Sequence, residues 1–360
     1  MEKAFGNRTL FSFSPDPSMK RRETFAVVAM VAAVLFLSCG NKQTATHIVG
    51  EAQGTYYSIT YYDTHKRDLQ PAIDSLLKDF DMTASLWVEN SLLRRVNDGS
   101  DSIVNDCFAT LLQLSTEMNN FTNGAFDCTI GKLVSAWGFS FKERQEMDSL
   151  KVAGLLQYCG RQPVTITDST GRIIVRKPFK ETTMDFNAIA QGYSTDLVCR
   201  FLEEKGIHDY IVDIGGEVYA RGCKPDGTKW SVGIERPSEN KYSAREVETV
   251  IELQDCAVVT SGSYRKYYEK EGVRYSHTID PATGYPVQHT LLSVSVVDTA
   301  AWRADALATA FMVMGLEKAL EFIASHPEDS GTQAVFFIYS DGSEYKTYAT
   351  EGFRRVMSEL

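Results

Sequence analysis

The sequence predicts an α+β fold in which mainly antiparallel sheets are flanked by helices. Two observations support this class: strand-like runs follow one another directly, and segments of helical periodicity are interspersed among them. The chain has 360 residues, of which 43% are hydrophobic, so it can bury a substantial core. Residues 47–360 contain no low-complexity segment, strong repeat or obvious linker, which predicts one compact domain.

The segment before this domain has the features of an export signal. A basic head at 20–22 precedes an apolar run at 25–37, and Cys39 follows directly. This arrangement resembles the lipobox of bacterial lipoproteins, so Cys39 would carry lipid and hold an exported, periplasm-facing protein on a membrane. An uncleaved anchor helix is the alternative, but the apolar run is short for spanning a bilayer. Residues 1–39 are therefore predicted to be a signal peptide with a lipobox cysteine, and residues 40–46 a tether.

The strands and helices can be placed in order along the domain. A strand pair is predicted around Gly54 in HIVGEAQGTYYSITYYDT, and a helix follows in LQPAIDSLLKDFDMTASLW, where the apolar residues fall on one stripe. Further strands are predicted in RIIVR, YIVDIGGEVYARG, WSVGIER, VETVIELQDCAVVT, LLSVSVVD and QAVFFIYS. Further helices are predicted over 106–119, 143–157, 188–205 and 302–325.

Charge and cysteine content exclude some classes of function. A formal net charge of -10 argues against a nucleic-acid partner, because affinity for phosphate backbones comes mainly from clustered Lys and Arg. The six cysteines after Cys39 show no C-x-x-C motif and no metal-ligand spacing. Most are expected to be small buried residues, although disulfides are possible in an exported protein.

Two sequence motifs combine a carboxylate with small residues. In GAFDCTIGKLVSAWGF, Asp127 lies just after a predicted helix, and the alternative to a functional role is an N-cap for the next helix. In MDFNAIAQGYSTDLV, Asp185 precedes a helix that begins near Ala188, and such a helix N-terminus can admit phosphate. The alternative there is that Asp185 or Asn187 is a simple cap.

Two further sequence motifs are of interest. One contains a glycine pair within a predicted strand, and the other places polar side chains on a predicted helix. In VDIGGEVYARG, Gly215 and Gly216 interrupt a strand, which indicates either a structural bulge or close approach by a ligand. In DTAAWRADALATAFMVMG, Asp305 and Thr309 lie four residues apart on one helix face. Carboxylate and hydroxyl oxygens are hard ligands suited to Mg²⁺, whereas the alternative is an acidic residue on an exposed stripe.

Seven ordered motifs carry a resemblance to a known family. They are GTYYSITYY, GAFDCTIGKLVSAWGF, DFNAIAQGYSTD, DIGGEVYARG, TSGSYRKYY, SHTIDPATGYP and ADALATAFMVMG. In this order and spacing they resemble the ApbE family, the FAD:protein FMN transferases, over about residues 50–350. The resemblance implies a protein that binds FAD, with Mg²⁺ at its diphosphate, and attaches the FMN half through a phosphoester to a threonine of an exported acceptor protein. AMP leaves, and the acceptor would be a subunit of a membrane redox complex.

The resemblance also implies roles for individual residues. The metal ligands would be the Asp305 carboxylate, the Thr309 hydroxyl and the main-chain carbonyl of Ala188. His277 would be the base or orienting group for the acceptor threonine, since an unperturbed histidine has a pKa of about 6.5; the alternative is a histidine that only caps a turn. FAD would be bound by Gln53, Trp87, Ala125, Phe126, Asp127, Asp185, Gln191 and Ile279.

Some positions depart from the pattern of the family. Gln53 and Trp87 stand where members commonly have Met and an aromatic residue, and Gln191 stands where many carry Lys or Glu. The acceptor segment that the resemblance implies, a short run of Asp, Ser, Gly and Ala ending in Thr, has no good match in this chain. Two alternatives are a Mg²⁺-dependent FAD pyrophosphatase, in which water replaces the threonine, and a non-catalytic flavin-binding lipoprotein.

Overall fold

An eight-stranded antiparallel sheet forms the centre of the fold in a computed structural model. The structure describes residues 44–140, 145–160, 164–169, 171–237, 246–263, 267–270, 273–342 and 344–358. Thr44–Leu360 groups into one compact unit. The predicted signal peptide, with Cys39, lies outside the described residues.

The described residues form sixteen strands. They are β1 (Ala45–Ala52), β2 (Thr55–Tyr62), β3 (Ile103–Val104), β4 (Thr165–Ser169), β5 (Arg172–Arg176), β6 (Tyr210–Ile214), β7 (Glu217–Arg221), β8 (Trp230–Glu235), β9 (Val247–Leu253), β10 (Cys256–Gly262), β11 (Tyr267–Lys270), β12 (Val273–Ser276), β13 (Leu291–Asp298), β14 (Val335–Asp341), β15 (Glu344–Ala349) and β16 (Met357–Ser358).

The same residues form nine helices. They are α1 (Gln70–Ala84), α2 (Leu92–Asp98), α3 (Asp106–Phe121), α4 (Gly131–Ala136), α5 (Ser149–Leu156), α6 (Ala190–Glu204), α7 (Ala301–Ser325), α8 (Ser330–Gln333) and α9 (Glu351–Arg354). The main sheet has the strand order β1-β2-β6-β7-β10-β13-β14-β15. Three smaller sheets have the orders β16-β9-β8, β3-β5-β4 and β11-β12, and every strand pair is antiparallel. This confirms the predicted α+β class.

Two hairpins of the main sheet turn within two residues. Gln53 and Gly54 connect β1 to β2, with φ values of 55° and 71°, and Gly215 and Gly216 connect β6 to β7, with φ values of 69° and 109°. Turns of two residues with positive φ match the twist of the flanking strands, and glycine adopts that conformation at low cost. The strand pair around Gly54 is therefore confirmed. The bulge considered for the glycine pair is wrong, because the pair forms a hairpin turn.

The main sheet is covered on both faces, which explains its long apolar strands. Neighbouring residues point to opposite sides: Val259, Val296 and Phe337 pack under α7, whereas Val258, Val297 and Phe336 belong to a second cluster. That second cluster includes Trp230, Ile234, Ile251 and Leu253 of the sheet β16-β9-β8. Because strand side chains alternate, a sheet buried on both faces needs apolar residues at consecutive positions.

The structure contains the predicted helices, but their first or last residues differ from the predicted ones. The helix expected over 188–205 is α6, and that over 302–325 is α7, which is interrupted at Gly315 with φ 75° and ψ 170°. The helix expected over 143–157 begins only at Ser149, because the Asp148 side chain accepts a hydrogen bond from the Lys151 N–H and caps that end. Residues 141–144 lie outside the described residues.

The sequence predicts that most cysteines are small buried residues. Six cysteines of the described residues are free: Cys107, Cys128, Cys159, Cys199, Cys223 and Cys256. Cys128, Cys159 and Cys199 are buried, as expected of small apolar side chains.

Within the described part of residues 44–358, no helix combines the length and the apolar character needed to cross a membrane.

Candidate functional site

A cleft of about 970 Å³ collects all the site residues proposed from the sequence. It is bordered by the turns of the main sheet, the start of α6, the middle of α7, strand β8 and the loop after β12. The proposed residues that line it are Gln53, Trp87, Ala125, Phe126, Asp127, Asp185, Ala188, Gln191, His277, Ile279, Asp305 and Thr309. Residues up to 256 positions apart in sequence, from Gln53 to Thr309, therefore share one cavity.

Helices α6 and α7 meet at a glycine, and this contact holds Asp305. The Gly192 N–H donates to Asp305 Oδ2 over 3.1 Å. A Cβ atom at Gly192 would lie 2.3 Å from the Ala301 carbonyl oxygen and 2.8 Å from Asp305 Cβ. Such distances are far below van der Waals contact, so the two backbones approach this closely only because residue 192 has no side chain.

The substitution Gly192→Ala is expected to lower both stability and activity. A methyl group would push α7 away from α6, which typically costs about 1–3 kcal/mol of unfolding free energy. It would also displace Asp305, and a shift of about 1 Å at a reactive site costs about a hundredfold in rate. Urea unfolding and the rate of product formation would measure the two effects.

Gly154→Ala is the matched control, because a Cβ at Gly154 of α5 meets no atom within 4 Å. Removing a glycine from a helix is expected to stabilise the protein by about 0.5–1 kcal/mol. Equal behaviour of the two variants would contradict the close contact between α6 and α7.

A second carboxylate fixes the start of α7 against α6. Asp196 of α6 accepts hydrogen bonds from the Ala301 N–H at 3.0 Å and from the Trp302 N–H at 2.9 Å. These amides belong to the first turn of α7 and have no partner within the helix. Burial raises the pKa of Asp196 to about 6. The N-terminus of α7 is thus capped by a side chain from a different helix, and Asp305 follows one turn later.

Asp305 and Thr309 present their oxygens one helical turn apart. Asp305 is only 5% exposed, so the exposed acidic stripe considered from the sequence is wrong. The Thr309 hydroxyl lies 3.3 Å from the Ser261 hydroxyl of β10. Burial raises the pKa of Asp305 to about 7, since the charged form loses its hydration. A cation beside this carboxylate would favour its charged form.

The charge of the cleft also favours a cation. Among the described residues that line it, seven are acidic and none is Lys or Arg; the acidic residues are Asp81, Asp127, Asp185, Asp213, Glu217, Glu235 and Asp305. A substrate with a diphosphate would meet strong repulsion in such a cleft unless a metal ion neutralised it.

The proposed metal donors fit a magnesium ion by their chemistry. A carboxylate, a hydroxyl and a main-chain carbonyl are all hard oxygen donors, and Mg²⁺ usually keeps further positions for phosphate and water. Ala188 lies four residues before Gly192 and so borders the same helix junction. The described residues hold no cluster of three or more His, Cys, Asp or Glu that could bind a metal. The remaining positions around a metal here would be filled by substrate oxygens and water.

Two chain segments run side by side and bring Asp127 and Asp185 to the cleft. The Asp185 N–H donates to the Cys128 carbonyl at 2.7 Å, and the Gly131 N–H donates to the Thr183 carbonyl at 3.1 Å. Burial raises the pKa of both aspartates above its usual value. The sequence motifs that carry them are therefore neighbours in space.

Neither aspartate caps the helix that follows it. Asp127 Oδ1 accepts hydrogen bonds from the N–H and the hydroxyl of Thr129, both at 2.7 Å, while the N-cap of α4 is Ile130. Asp185 Oδ1 accepts from the Asn187 N–H at 2.8 Å, while the N-cap of α6 is Ile189. The simple capping interpretations of Asp127, Asp185 and Asn187 are thus wrong.

Three of the proposed flavin contacts have limited exposure. Phe126 and Ile279 are each 2% exposed and pack into core clusters, and Ala125 is partly buried against one of them. The Phe126 carbonyl accepts a hydrogen bond from the Asn119 side chain, and the Phe126 N–H donates to the Thr122 hydroxyl. These residues shape the wall of the cleft, and their side chains mainly stabilise it.

His277 lies at the start of a closed loop. The Val287 N–H donates to the Thr278 carbonyl at 3.0 Å, and the Asp280 N–H donates to the Tyr285 carbonyl at 2.9 Å. Trp137 Nε1 donates to the Gly284 carbonyl at 2.8 Å and joins the loop to α4. The loop is thus held by its own backbone and by a tryptophan, while the His277 ring borders the cleft with Phe139 edge-on at 6.4 Å.

Gln53, Trp87 and Gln191 line the rim. Gln53 Nε2 is buried and has no hydrogen-bond partner among the described residues, so a ligand acceptor there would relieve an unfavourable burial. Trp87 is 61% exposed, which leaves a large ring surface available for stacking. The Gln191 amide packs against Gly215, where a Cβ would lie 2.6 Å from Nε2.

Several residues of the site were not found from the sequence. Gly192 and Asp196 organise the helix junction, Ser261 contacts Thr309, and Glu217 is a buried carboxylate of the cleft. All four lie inside the quoted motifs: the first two in DFNAIAQGYSTD, Ser261 in TSGSYRKYY and Glu217 in DIGGEVYARG. The motifs could have pointed to them, but their contacts span more than 20 residues of sequence.

Known proteins resemble this chain in sequence over most of its length. Residues 53–336 match the model of the ApbE family. A protein of Vibrio cholerae named FAD:protein FMN transferase is 33% identical over 342 residues, covering 92% of this chain and 99% of that protein. A protein of Escherichia coli strain K12 with the same name is 32% identical over 354 residues, covering 92% of this chain and 97% of that protein.

Solved structures resemble the fold as well. The flavin transferase ApbE from Vibrio cholerae superimposes with a TM-score of 0.73 at 33% identity, covering 87% of this chain and 99% of that one. The ApbE protein from Thermotoga maritima superimposes with a TM-score of 0.76 at 26% identity, covering 88% of this chain and all of that one, at 100%.

Proposed function

The chain belongs to the ApbE family, and we propose that it transfers FMN from FAD to a threonine hydroxyl of an acceptor protein in a Mg²⁺-dependent reaction. Relatives that it matches over almost their whole length are named FAD:protein FMN transferases. The observation that carries the proposal is the convergence of all twelve proposed site residues on one cleft with seven carboxylates and, among its described residues, no Lys or Arg.

The reaction can be written with each bond accounted for. The threonine oxygen bonds to the phosphorus of the FMN half, and the bond from that phosphorus to the bridging oxygen breaks. AMP leaves with the bridging oxygen and its electron pair. The proton of the hydroxyl passes to a ring nitrogen of His277, which borders the cleft.

The residues of the chain bind and orient the reactants. When bound, Mg²⁺ would neutralise the charge of the diphosphate and stabilise the charge that develops on the leaving group. Asp305, Thr309 and the Ala188 carbonyl would hold it. The contact between Gly192 and Asp305 fixes α7, which carries Asp305 and Thr309, against α6, and Ala188 lies in the turn just before α6. Trp87 would stack on a ring of FAD, and Gln53 Nε2 would donate to an acceptor atom of FAD.

A labelling experiment tests the proposed function. The full chain is incubated with FAD, Mg²⁺ and a ten-residue peptide in which Asp, Ser, Gly and Ala precede a single threonine. AMP release together with a fluorescent flavin on the peptide is the expected result, and replacing the threonine with valine is the control. AMP with free FMN and no labelled peptide would identify a pyrophosphatase, and neither product would identify a flavin carrier.

We further propose that the protein is exported, carries lipid on Cys39 and acts on a subunit of a membrane redox complex. The support is the basic and apolar pattern before Cys39, which lies outside the described residues. Cys39→Ser is expected to move the protein from the membrane fraction to the soluble fraction of cells. Its retention in the membrane fraction would contradict lipidation at this cysteine.

A further inference from the structure

Strand β8 borders the cleft with its edge. It is the last strand of the sheet β16-β9-β8, and no strand of the described residues pairs with its other side. Four consecutive residues of β8, at 232–235, line the cleft. Side chains of a strand alternate between two faces, so a cavity touching one face would contact every second residue. Val232, Gly233 and Ile234 line it in succession before the register shift between Ile234 and Glu235, so the edge of the strand borders the cleft and not one face alone.

The direction of the main-chain groups on this edge follows from β9. The Glu252 N–H donates to the Val356 carbonyl, beside β16, so Glu252 faces away from β8. Its partner across the β8–β9 pair is Ser231, and the next residue of the same parity is Gly233, which pairs with Val250. In an antiparallel pair such residues direct their N–H and C=O groups outwards. Ser231 and Gly233 are both exposed, as this requires.

Charge is absent from most of the edge of β8 and appears only at Glu235, its last residue. Residues 231–234 are uncharged and contain no proline. The two edges of the main sheet differ: β15 carries the exposed residues Glu344 and Lys346, and β1 carries the exposed Glu51. Charged side chains discourage the pairing of a further strand. Residues 231–234 therefore present an uncharged edge for main-chain pairing, and Glu235 marks its end.

We propose that the acceptor polypeptide binds as an added antiparallel or parallel strand on β8, with main-chain hydrogen bonds to Ser231 and Gly233. This inference rests on the proposed function, which requires a polypeptide to enter the cleft. Strand addition derives its affinity from backbone groups and its selectivity from alternate side chains. The threonine would thereby reach the same cavity as His277 and Asp305.

Backbone methylation of the peptide provides the first test. A series of peptides carries one N-methyl group at each successive residue around the threonine, and the KM for the peptide is measured with the full chain, FAD and Mg²⁺. Methylation at alternate residues is expected to raise the KM about tenfold, because it removes a hydrogen bond to β8, with less than about a twofold change at the residues between. A flat profile would overturn the inference while leaving FMN transfer intact.

A variant of the edge provides the second test. Gly233→Pro removes the outward N–H without removing a hydrogen bond to β9, and proline is tolerated on strand edges. Gly233→Pro is expected to raise the KM for the unmodified peptide about tenfold and to abolish the alternating effect of peptide N-methylation on the KM. Gly233→Ala keeps the N–H and should retain that alternating effect. Thermal melting checks that both variants fold.

The outcomes separate this inference from the proposed function. An unchanged peptide KM in Gly233→Pro would overturn strand addition even if transfer is efficient. If the wild-type chain labels no peptide but still releases AMP, transfer itself is wrong, and the inference falls with it. A dissociation constant for FAD that rises in parallel with the peptide KM would also overturn it, since the edge would then belong to the flavin site.

Discussion

Asp305→Asn is expected to reduce the rate of FMN transfer about a thousandfold while the fold is retained. Asparagine has nearly the same shape, and its Oδ1 can still accept the hydrogen bond from the Gly192 N–H. It carries no charge, however, and the polarisation that a metal supplies is worth several kcal/mol, with each 1.4 kcal/mol changing the rate about tenfold. AMP release and in-gel flavin fluorescence would measure the rate, and a metal titration with FAD present would measure the affinity.

Asp196→Asn is the matched control for this variant. Asp196 is also a carboxylate at the junction of α6 and α7, where it is partly buried, but it contacts the amides of Ala301 and Trp302 and does not line the cleft. Its replacement is expected to lower the melting temperature and leave metal affinity within a few-fold of the wild type. Wild-type activity in Asp305→Asn or in Asp305→Ala would remove Asp305 from the metal site.

His277→Ala is expected to suppress transfer about a hundredfold to ten-thousandfold, the range for loss of a general base. FAD binding should be preserved, because backbone hydrogen bonds between Thr278 and Val287 and between Asp280 and Tyr285 hold the loop after His277. Flavin fluorescence titration would measure binding, and single-turnover labelling of the peptide would measure transfer.

His208→Ala serves as the control, since His208 is exposed and does not line the cleft. Its transfer rate and FAD affinity are expected to match those of the wild type. If His277→Ala instead loses FAD binding in proportion to its activity, His277 has a structural role in the turn and is not the base.

The sequence predicted those strands and helices whose local pattern of apolar residues agrees with their burial in the folded protein. The β1–β2 pair could be placed because Gly54 follows an alternating strand, and α6 and α7 could be placed because their apolar periodicity is long. The start of α5 was misplaced because the capping by Asp148 is a single side-chain contact, which periodicity does not reveal. The β6–β7 turn was ambiguous because a glycine pair suits a bulge as well as a hairpin.

The site was predictable as a set of residues but not as an arrangement. The sequence motifs contain most of the site residues. The sheet order β1-β2-β6-β7-β10-β13 brings the turns and strand ends that carry these residues together. The contact between Gly192 and Asp305 spans 113 residues, and that between Asp196 and Ala301 spans 105. No local pattern encodes such pairs, since they arise only when α6 and α7 pack against each other on the sheet.

The junction of α6 and α7 has a consequence for how this enzyme could diversify. Asp305 and Thr309 are carried by α7 and Ala188 by the turn that leads into α6, whereas Gln53, Trp87 and Asp127 come from separate turns and loops around this helix pair. On the proposed assignment of these residues, changes in the loops would alter which dinucleotide is preferred and would leave the proposed ion donors in place. Redesign for a new flavin analogue should therefore begin at the rim and leave both helices untouched.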